Sequence, residues 1–215
     1  MQIRVYNTDW IAVDEVDTIE SMIWTDRYQE YGDFEIYTEI NAATLNSFKN
    51  GYYLSIGKSE HMMIIESVEI KANTEFGNKL LIRGISLESI LTRRIVWTQT
   101  ILSGNLQTEI QRLLNENVIS PINTDRQIPN FVFQTSVDPL VTGKTVDSQF
   151  TGDYVYDVIS KLCKQNKIGF KITRSDSGQF VFNLYSGVDR SYEQLINPFV
   201  VFSPNFDNII SSEYF

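Results

Sequence analysis

The chain has 215 residues, of which 42% are hydrophobic and 21% are charged, and this balance is typical of a protein that buries a substantial core. Its formal net charge is −9 and its basic residues form no long run, which argues against nucleic acid and anionic membranes as ligands. A single cysteine, Cys163, excludes an intramolecular disulfide and a cysteine cluster for zinc.

The N-terminal sequence and the hydropathy pattern predict neither export nor insertion into a membrane. Residues 1–6 alternate polar and apolar side chains, whereas a signal peptide begins with basic residues and continues with an apolar stretch. No run of the sequence approaches the ~20 apolar residues that a membrane span requires. We therefore expect a protein without a membrane span that folds in a reducing cytosol.

The first half of the chain has the period-two alternation that is typical of β-strands. Apolar and polar residues alternate over residues 19–28 and again over residues 34–40, which predicts a hairpin with its turn near Gly32. Asn41 supplies the N-cap of a short helix that ends at Asn50-Gly51. Three further strands are predicted at residues 52–56, 62–70 and 80–85.

The lengths of the connections indicate how these strands are arranged. They are too short for parallel crossovers, so the strands should be antiparallel neighbours. Short strands joined by tight turns, with one brief helix between them, favour a small antiparallel β-barrel or a curled sheet over residues 1–98.

Helical spacing replaces this alternation after Trp97. Apolar residues recur every three or four positions over residues 105–118 and over about 154–165, which predicts two amphipathic helices. The second helix leads into an apolar stretch at residues 168–172, which is expected to pair with residues 180–184 as a hairpin. This part of the chain is therefore predicted to be an α+β unit.

The expected fold class is α+β and mainly β, with an antiparallel barrel followed by the α+β unit. Residues 207–211 echo residues 17–21, which open the long strand of the first barrel, so a second barrel could begin near the end of the sequence. The predicted divisions are residues 1–98 for the barrel, 99–198 for the α+β unit, and 199–215 for the start of a second barrel or a return strand.

Three short patterns suggest chemistry and are better explained structurally. Gly143-Lys144-Thr145 resembles the end of a phosphate-binding loop, but the pattern requires glycine where the chain has Asp138, so a polar loop is favoured. The single histidine, His61, completes neither a Ser-His-Asp relay nor a zinc motif and is expected at the surface, at a strand edge. Cys163 lies on the apolar face of its helix and is expected in the core.

Carboxylates and tryptophans raise the possibility of carbohydrate chemistry. Asp33, Glu35 and Glu39 alternate along one predicted strand, where acidic residues normally form the solvated face, and nothing places them across a cleft. Sugar binding is slightly favoured over sugar hydrolysis, because the aromatic faces of tryptophan serve both cores and sugars. The candidates for sugar binding are Trp10, Trp24 and Trp97.

Two arginine positions and one glycine are interpreted as structural. Arg83 should lay its aliphatic stem on a sheet face with its charge in water, and Gly84 permits a close approach or a bulge. For Arg93-Arg94, solvated or ion-paired side chains are favoured over a contact between subunits. The sequence therefore nominates no catalytic residue, no cofactor-binding residue and no metal ligand.

Several segments together resemble one family of bacteriophage tail proteins. They include the Trp-x-x-Arg-Tyr pattern of residues 24–28, the Tyr-Gly-Asp-Phe-Glu-Ile pattern of residues 31–36, and Lys167-Ile168-Gly169-Phe170 after the second helix. The remaining segments are residues 82–91 with 93–96, 154–166, 187–191 and 202–214. In this order they resemble the Gp37-like siphovirus tail family, which is related to the gp27-type hub of phage baseplates and tail tips.

The resemblance implies a structural role without enzymatic activity, located in the virion tail. It implies a homotrimer whose paired barrels form a pseudo-sixfold ring between the tail tube and the tip. Its neighbours would be the distal tail or tube protein and the tape measure, and DNA would pass through the ring without specific binding. Two alternatives remain open: a cell-wall or polysaccharide-binding module and, as a third reading, a peptidoglycan hydrolase.

Overall fold

The computed structural model describes residues 2–72, 77–175, 177–198, 201 and 203, and its largest element is a seven-stranded antiparallel sheet. The strands of this sheet are β1 (Ile3–Tyr6), β2 (Ala12–Val16), β3 (Ser21–Thr25), β4 (Asp33–Glu39), β5 (Tyr53–Ile56), β6 (Met63–Lys71) and β7 (Lys79–Ser86). Their order across the sheet is β2-β1-β5-β6-β7-β4-β3. Helix α1 (Ala42–Ser47) connects β4 to β5, which are separated in the sheet by β7 and β6.

The expectation of a closed β-barrel is wrong. Strands β2 and β3 lie at opposite ends of the sheet, and within the described residues each pairs on one side only. Closure would require these two strands to pair with each other. The long-range pairings of β1 with β5 and of β4 with β7 set the strand order instead, and they leave the sheet open.

One face of the sheet forms the first hydrophobic core. Alternate residues of β1, β4 and β5 point to this face, as the period of two requires. Phe48, which follows α1, is fully buried against it. The strand residues of this core are Ile3, Val5, Val16, Phe34, Ile36, Leu54, Ile56, Met63, Ile65, Leu80 and Ile82.

The remainder of the described chain forms an α+β unit. Its helices are α2 (Leu106–Leu114), α3 (Pro139–Thr142) and α4 (Val155–Asn166), and its strands are β8 (Thr100–Asn105), β9 (Phe131–Gln134), β10 (Thr145–Phe150), β11 (Gly169–Arg174) and β12 (Phe180–Tyr185). Strands β8 and β10 pair antiparallel, while β11, β12 and β9 form a second small sheet in that order. A 3-10 helix at Leu87–Arg93 connects the large sheet to this unit.

Most of the elements expected from the sequence are present. The hairpin of β3 and β4, the strands β5 to β7, helix α1 and the antiparallel hairpin of β11 and β12 are confirmed. The helix expected at residues 105–118 is α2 continued by a π-helical turn at Asn115–Ile119. The parallel pairing of β12 with β9 was not expected.

The second hydrophobic core extends across the division expected near residue 98. It contains buried residues of α2, α4 and β11, and also Met62, Ile64, Leu87 and Val96 from the first part of the chain. The two units therefore share one apolar interior at their junction. The division at residue 98 stays a prediction, and the expected second barrel of residues 199–215 lies outside the described residues except for 201 and 203.

Candidate functional site

The structure gives the phosphate-loop pattern a structural role. Asp138 caps α3, because its Oδ1 accepts a hydrogen bond of 2.9 Å from the backbone N–H of Leu140. Gly143 ends this one-turn helix, and Lys144 then leads into β10. The segment is thus a short capped helix and a turn, where the sequence suggested a plain loop.

Two of the three acidic residues of β4 form ion pairs at the sheet surface. Arg27 lies 2.5 Å from Asp33, and Arg83 lies 2.6 Å from Glu35. The second pair spans two neighbouring strands, which places the Arg83 head at the solvated face as expected. These two carboxylates therefore belong to surface ion pairs, and only the pair of Glu35 with Arg83 joins neighbouring strands.

Cys163 is fully buried on α4, which confirms its predicted place in the core. Burial disfavours the charged thiolate and raises the pKa of this thiol to about 12. The side chain therefore packs as a small apolar group.

His61 is buried, and its predicted surface position is wrong. The residue is only 8% exposed, and its ring Nδ1 donates a 3.0 Å hydrogen bond to Oε1 of Glu88. The sequence could not reveal this position, because the partner that satisfies the imidazole lies 27 residues further along the chain. Burial of a polar ring is tolerated when such a partner is present.

Glu88 is the centre of a buried polar cluster that joins the two units. Its side chain is 0% exposed. Besides the bond from His61, it accepts one from the hydroxyl of Ser86 and one of 2.8 Å from the backbone N–H of Ile172. Ser86 in turn accepts a 2.8 Å bond from the N–H of Gly32. One carboxylate thereby connects a loop and the end of β7 in the large sheet to β11 in the α+β unit.

The His61 pair predicts a pH dependence of stability. Burial lowers the pKa of the imidazole, but the hydrogen bond and the charge of Glu88, with a contribution from Asp26, outweigh this and raise it above its ordinary value of about 6.5. A raised folded-state pKa means that the stabilisation is fully present below the unfolded value and is lost as pH rises through the folded one. We expect the advantage of the wild type over His61→Asn to shrink over that range.

Two measurements check this expectation. His61 is the only histidine, so its imidazole titration by NMR gives the folded pKa without ambiguity. Urea unfolding of the wild type and of His61→Asn, at pH values below and above that pKa, gives the difference between their free energies of unfolding as a function of pH. A difference that grows with pH would contradict the arrangement.

The loop between β3 and β4 is hydrogen-bonded to the α+β unit. The side-chain amide of Gln29 donates to the carbonyls of Cys163 and Ile168, at 3.2 and 3.0 Å. The hydroxyl of Ser160 on α4 donates a 2.8 Å hydrogen bond to the backbone carbonyl of Gln29. The Tyr156 hydroxyl accepts a 3.0 Å bond from the N–H of Tyr31. These four bonds hold the hairpin loop against α4.

Tyr28, in the same loop, contacts β11, β12 and the residues next to them. Its hydroxyl donates towards the carbonyls of Lys167 and Tyr185 at 3.3 and 3.4 Å, and accepts a 2.7 Å bond from the N–H of Gly187. Its ring packs so close to Gly169 that a Cβ there would lie 2.4 Å from the ring. Tyr28 belongs to the Trp-x-x-Arg-Tyr pattern, but its partners lie far along the chain, so these contacts could not be inferred from the sequence.

Trp10 lies in an aromatic cluster at the same junction. Its ring stacks on Tyr53 with centroids 3.7 Å apart and meets the edge of Phe180 at 5.3 Å. The guanidinium of Arg174 lies 4.5 Å from the centre of the Trp10 ring. These contacts account for Trp10 as a packing residue between the two units.

The other two tryptophans differ in their surroundings. Trp24 is half-buried against the first core, and its Nε1 donates a 3.0 Å bond to Asp26. Trp97, in contrast, is 68% exposed, and the guanidinium of Arg126 lies 5.3 Å from its ring centre. Among the three sugar-binding candidates, Trp97 is therefore the one whose ring is available to a ligand.

The Arg93-Arg94 pair has a role that the sequence did not suggest. Arg94 donates to the backbone carbonyls of Arg126 and Gln127, so it fixes a turn of the α+β unit. Partial burial and the neighbouring charges of Arg126 and Arg93 lower its pKa. Neither solvation nor an ion pair describes this side chain, because it binds carbonyl oxygens.

The part of the chain that the structure describes offers neither a metal site nor a membrane-spanning helix. No group of three His, Cys, Asp or Glu side chains there is arranged to hold a metal ion. No helix among those residues is long and apolar enough to cross a membrane.

This fold is found in tail proteins. The chain is similar to the prophage tail protein gp18 from Listeria monocytogenes EGD-e, with a TM-score of 0.58 and 11% identity over 85% of this chain and 50% of that one. It is also similar to a tail protein from Neisseria meningitidis MC58, with a TM-score of 0.52 and 13% identity over 84% and 49%. The chain thus spans about half the length of these structures, and no curated protein sequence matches it.

The family itself is shown by sequence. The family described as Siphovirus ReqiPepy6 Gp37-like protein matches residues 2–215, and the chain belongs to this family. This confirms the resemblance expected from the sequence and assigns the protein to the virion tail.

Proposed function

We propose that the chain is a structural component of the tail tip or baseplate hub, where copies of it form a ring that joins the tail tube to the tip. The observation that carries this proposal is the open seven-stranded sheet, whose outer strands β2 and β3 are each paired on one side only within the described residues. An unpaired strand edge invites pairing with another chain, and proteins ordinarily cover it.

The side chains at the two edges support such a contact. Ile11 and Val13 are exposed at β2, and Ile23 on β3 is 61% exposed. Because the two edges differ and lie at opposite ends of the sheet, a contact of β2 with β3 of the next copy would be heterologous. Heterologous contacts close into rings when the rotation between copies permits it, and a threefold ring is the form proposed here.

The proposed role is not enzymatic. Asp33 and Glu35, the acidic pair considered for sugar hydrolysis, are each paired with an arginine on the sheet surface. The net charge of −9 suits a ring through which DNA passes, because an acidic wall repels phosphate. The distal tail or tube protein and the tape measure are the proposed neighbours. The division into units at residues 1–98 and 99–198, with 199–215 as the start of a second barrel or a return strand, belongs to the same proposal.

A charge placed at one edge tests the ring. We expect the wild-type protein to associate as its concentration rises, towards about three times the 24.8 kDa chain mass. Ile23→Lys should weaken this association by roughly tenfold or more, because a lysine at a strand edge must be desolvated when the next strand pairs with it. Multi-angle light scattering over a concentration series measures the effect.

The chain offers a matched control for this variant. Ile70 is 60% exposed, but it lies on β6, which is separated from β2 and from β3 by other strands of the sheet. Ile70→Lys should therefore leave the association unchanged. Equal effects of the two lysines, or a wild-type protein that stays monomeric at high concentration, would contradict a ring built by this chain alone through the β3 edge.

A further inference from the structure

A cavity of about 810 Å³ lies in the α+β unit, and none of its described lining residues belongs to the seven-stranded sheet. Its walls are the segment before and into β8, the last turns of α2, and the chain that follows them as far as Arg126. The volume is within the range of small-molecule sites, roughly 300–1,000 Å³. The apolar residues that line the cavity include Trp97, Ile101 and Ile122.

The backbone around Trp97 is fixed while its ring is exposed. The N–H of Trp97 donates a 3.3 Å bond to Oδ1 of Asn117, and the N–H of the preceding, fully buried Val96 donates a 2.8 Å bond to the carbonyl of Asp153. Arg126 donates a 2.6 Å bond to the carbonyl of Ile95 and lies against the ring. The indole is thus held in place with most of its surface open to a ligand, which lowers the entropy lost on binding.

Of the three charged side chains that line this cavity, Arg112 and Glu116 are paired with each other, while Arg126 donates to the carbonyl of Ile95 and lies against the Trp97 ring. Arg112 lies 2.6 Å from Glu109 and 3.0 Å from Glu116, and it also donates to the carbonyl of Ile101. Among the residues that the structure describes, Glu116 is the only acidic one that lines the cavity. A charged ligand would have to compete with these pairs, and a single engaged carboxylate does not supply the two that glycosidic cleavage requires.

The uncommitted polar groups of the cavity are neutral. They are the hydroxyls of Thr98 and Ser120, the side-chain amide of Gln99 and the amide nitrogen of Asn123. Each lines the cavity and is exposed, and none forms a side-chain hydrogen bond with the described part of the chain. Neutral donors and acceptors around an exposed indole match a ligand that has hydroxyl groups on its rim and an apolar face.

We propose that this cavity binds a neutral saccharide chain, with the C–H face of one pyranose ring stacked on Trp97 and its hydroxyl groups bound by Gln99, Asn123 and their neighbours. The site binds and does not cleave. It would give a tail component an affinity for glycan that is independent of the ring contacts at β2 and β3.

The experiment is a titration of the intact 215-residue chain with a panel of soluble neutral trisaccharides of glucose, galactose, rhamnose and N-acetylglucosamine. Saturation-transfer NMR detects the bound sugar, and the indole N–H signals of the three tryptophans report its position. At least one trisaccharide should bind at millimolar concentration and shift the Trp97 signal. Trp97→Ala should weaken that binding by about tenfold or more, whereas Trp97→Phe, which keeps an aromatic face, should weaken it less.

Ile70→Ala is the matched control, because it removes an exposed apolar side chain from the large sheet, and it should leave saccharide binding unchanged. Failure of all four trisaccharides to bind, or equal binding by the wild type and Trp97→Ala, would overturn the proposal. A loss of self-association in Trp97→Ala without saccharide binding would instead identify the cavity as a contact between copies. Saccharide binding by the Trp97 variants does not depend on the self-association of Ile23→Lys, so the two experiments test the saccharide site and the ring independently.

Discussion

Replacement of Glu88 by alanine is expected to lower the free energy of unfolding by about 3–5 kcal/mol, the cost of removing one partner from a buried ionic pair. The carboxylate is 0% exposed and accepts hydrogen bonds from His61, from Ser86 and from the N–H of Ile172. Alanine would leave these buried donors without their acceptor, which is the main cost of the replacement. Urea denaturation measures the change.

Glu69→Ala is the matched control for this variant. Glu69 lies on β6 at the surface and pairs with Lys71 at 2.8 Å, so its removal should change the stability far less than removal of Glu88 does. Glu88→Gln, which keeps the shape and one acceptor oxygen, should fall between the two. If Glu88→Ala were no more destabilised than Glu69→Ala, the buried cluster would not hold the two units together.

Gly84→Ala is expected to destabilise the protein by about 3 kcal/mol, at the upper end of the cost of overpacking a core. A Cβ at Gly84 would lie 1.8 Å from the carbonyl oxygen of Ile64 and 2.6 Å from the ring of Phe34. The first of these atoms belongs to the backbone of β6, which pairs with β7 on one side and β5 on the other and cannot move aside. This close approach is the one that the sequence analysis expected of Gly84.

Gly57→Ala separates this effect from the general consequence of adding a methyl group. Gly57 has no atom within 4 Å of the added Cβ, and its φ is outside the left-handed region. Its replacement should be neutral or stabilise the fold by up to about 1 kcal/mol, because alanine restricts the unfolded chain. The two variants are compared by chemical denaturation and by thermal unfolding. Similar stabilities would show that β6 and β7 are not packed as closely as described.

Local patterns in the sequence predicted local structure well. The alternation around Gly32 marked the hairpin of β3 and β4, and the apolar spacing on α4 placed Cys163 in the core. Such features depend on residues that are neighbours in the chain, so periodicity and turn chemistry are enough to find them.

Features that depend on distant partners could not be predicted. Strand order required the pairings of β1 with β5 and of β4 with β7, which no local pattern encodes, and the expected barrel was wrong for that reason. Likewise, a lone histidine and a glutamate 27 residues apart give no sign of their contact. An acidic residue among apolar neighbours, as in Ser86-Leu87-Glu88-Ser89-Ile90, was the one available signal of a buried carboxylate.

Because the loop of the β3–β4 hairpin is hydrogen-bonded to α4, the hairpin connects the large sheet mechanically to the α+β unit. Strand β3 is at the outer edge of the large sheet, and the loop that follows it is bound through Gln29 and Ser160 to the opposite unit. A force on that edge would therefore reach α4 through these hydrogen bonds, without passing through the other strands of the sheet. The hairpin therefore couples the outer edge of the large sheet to α4 through the hydrogen bonds of its loop.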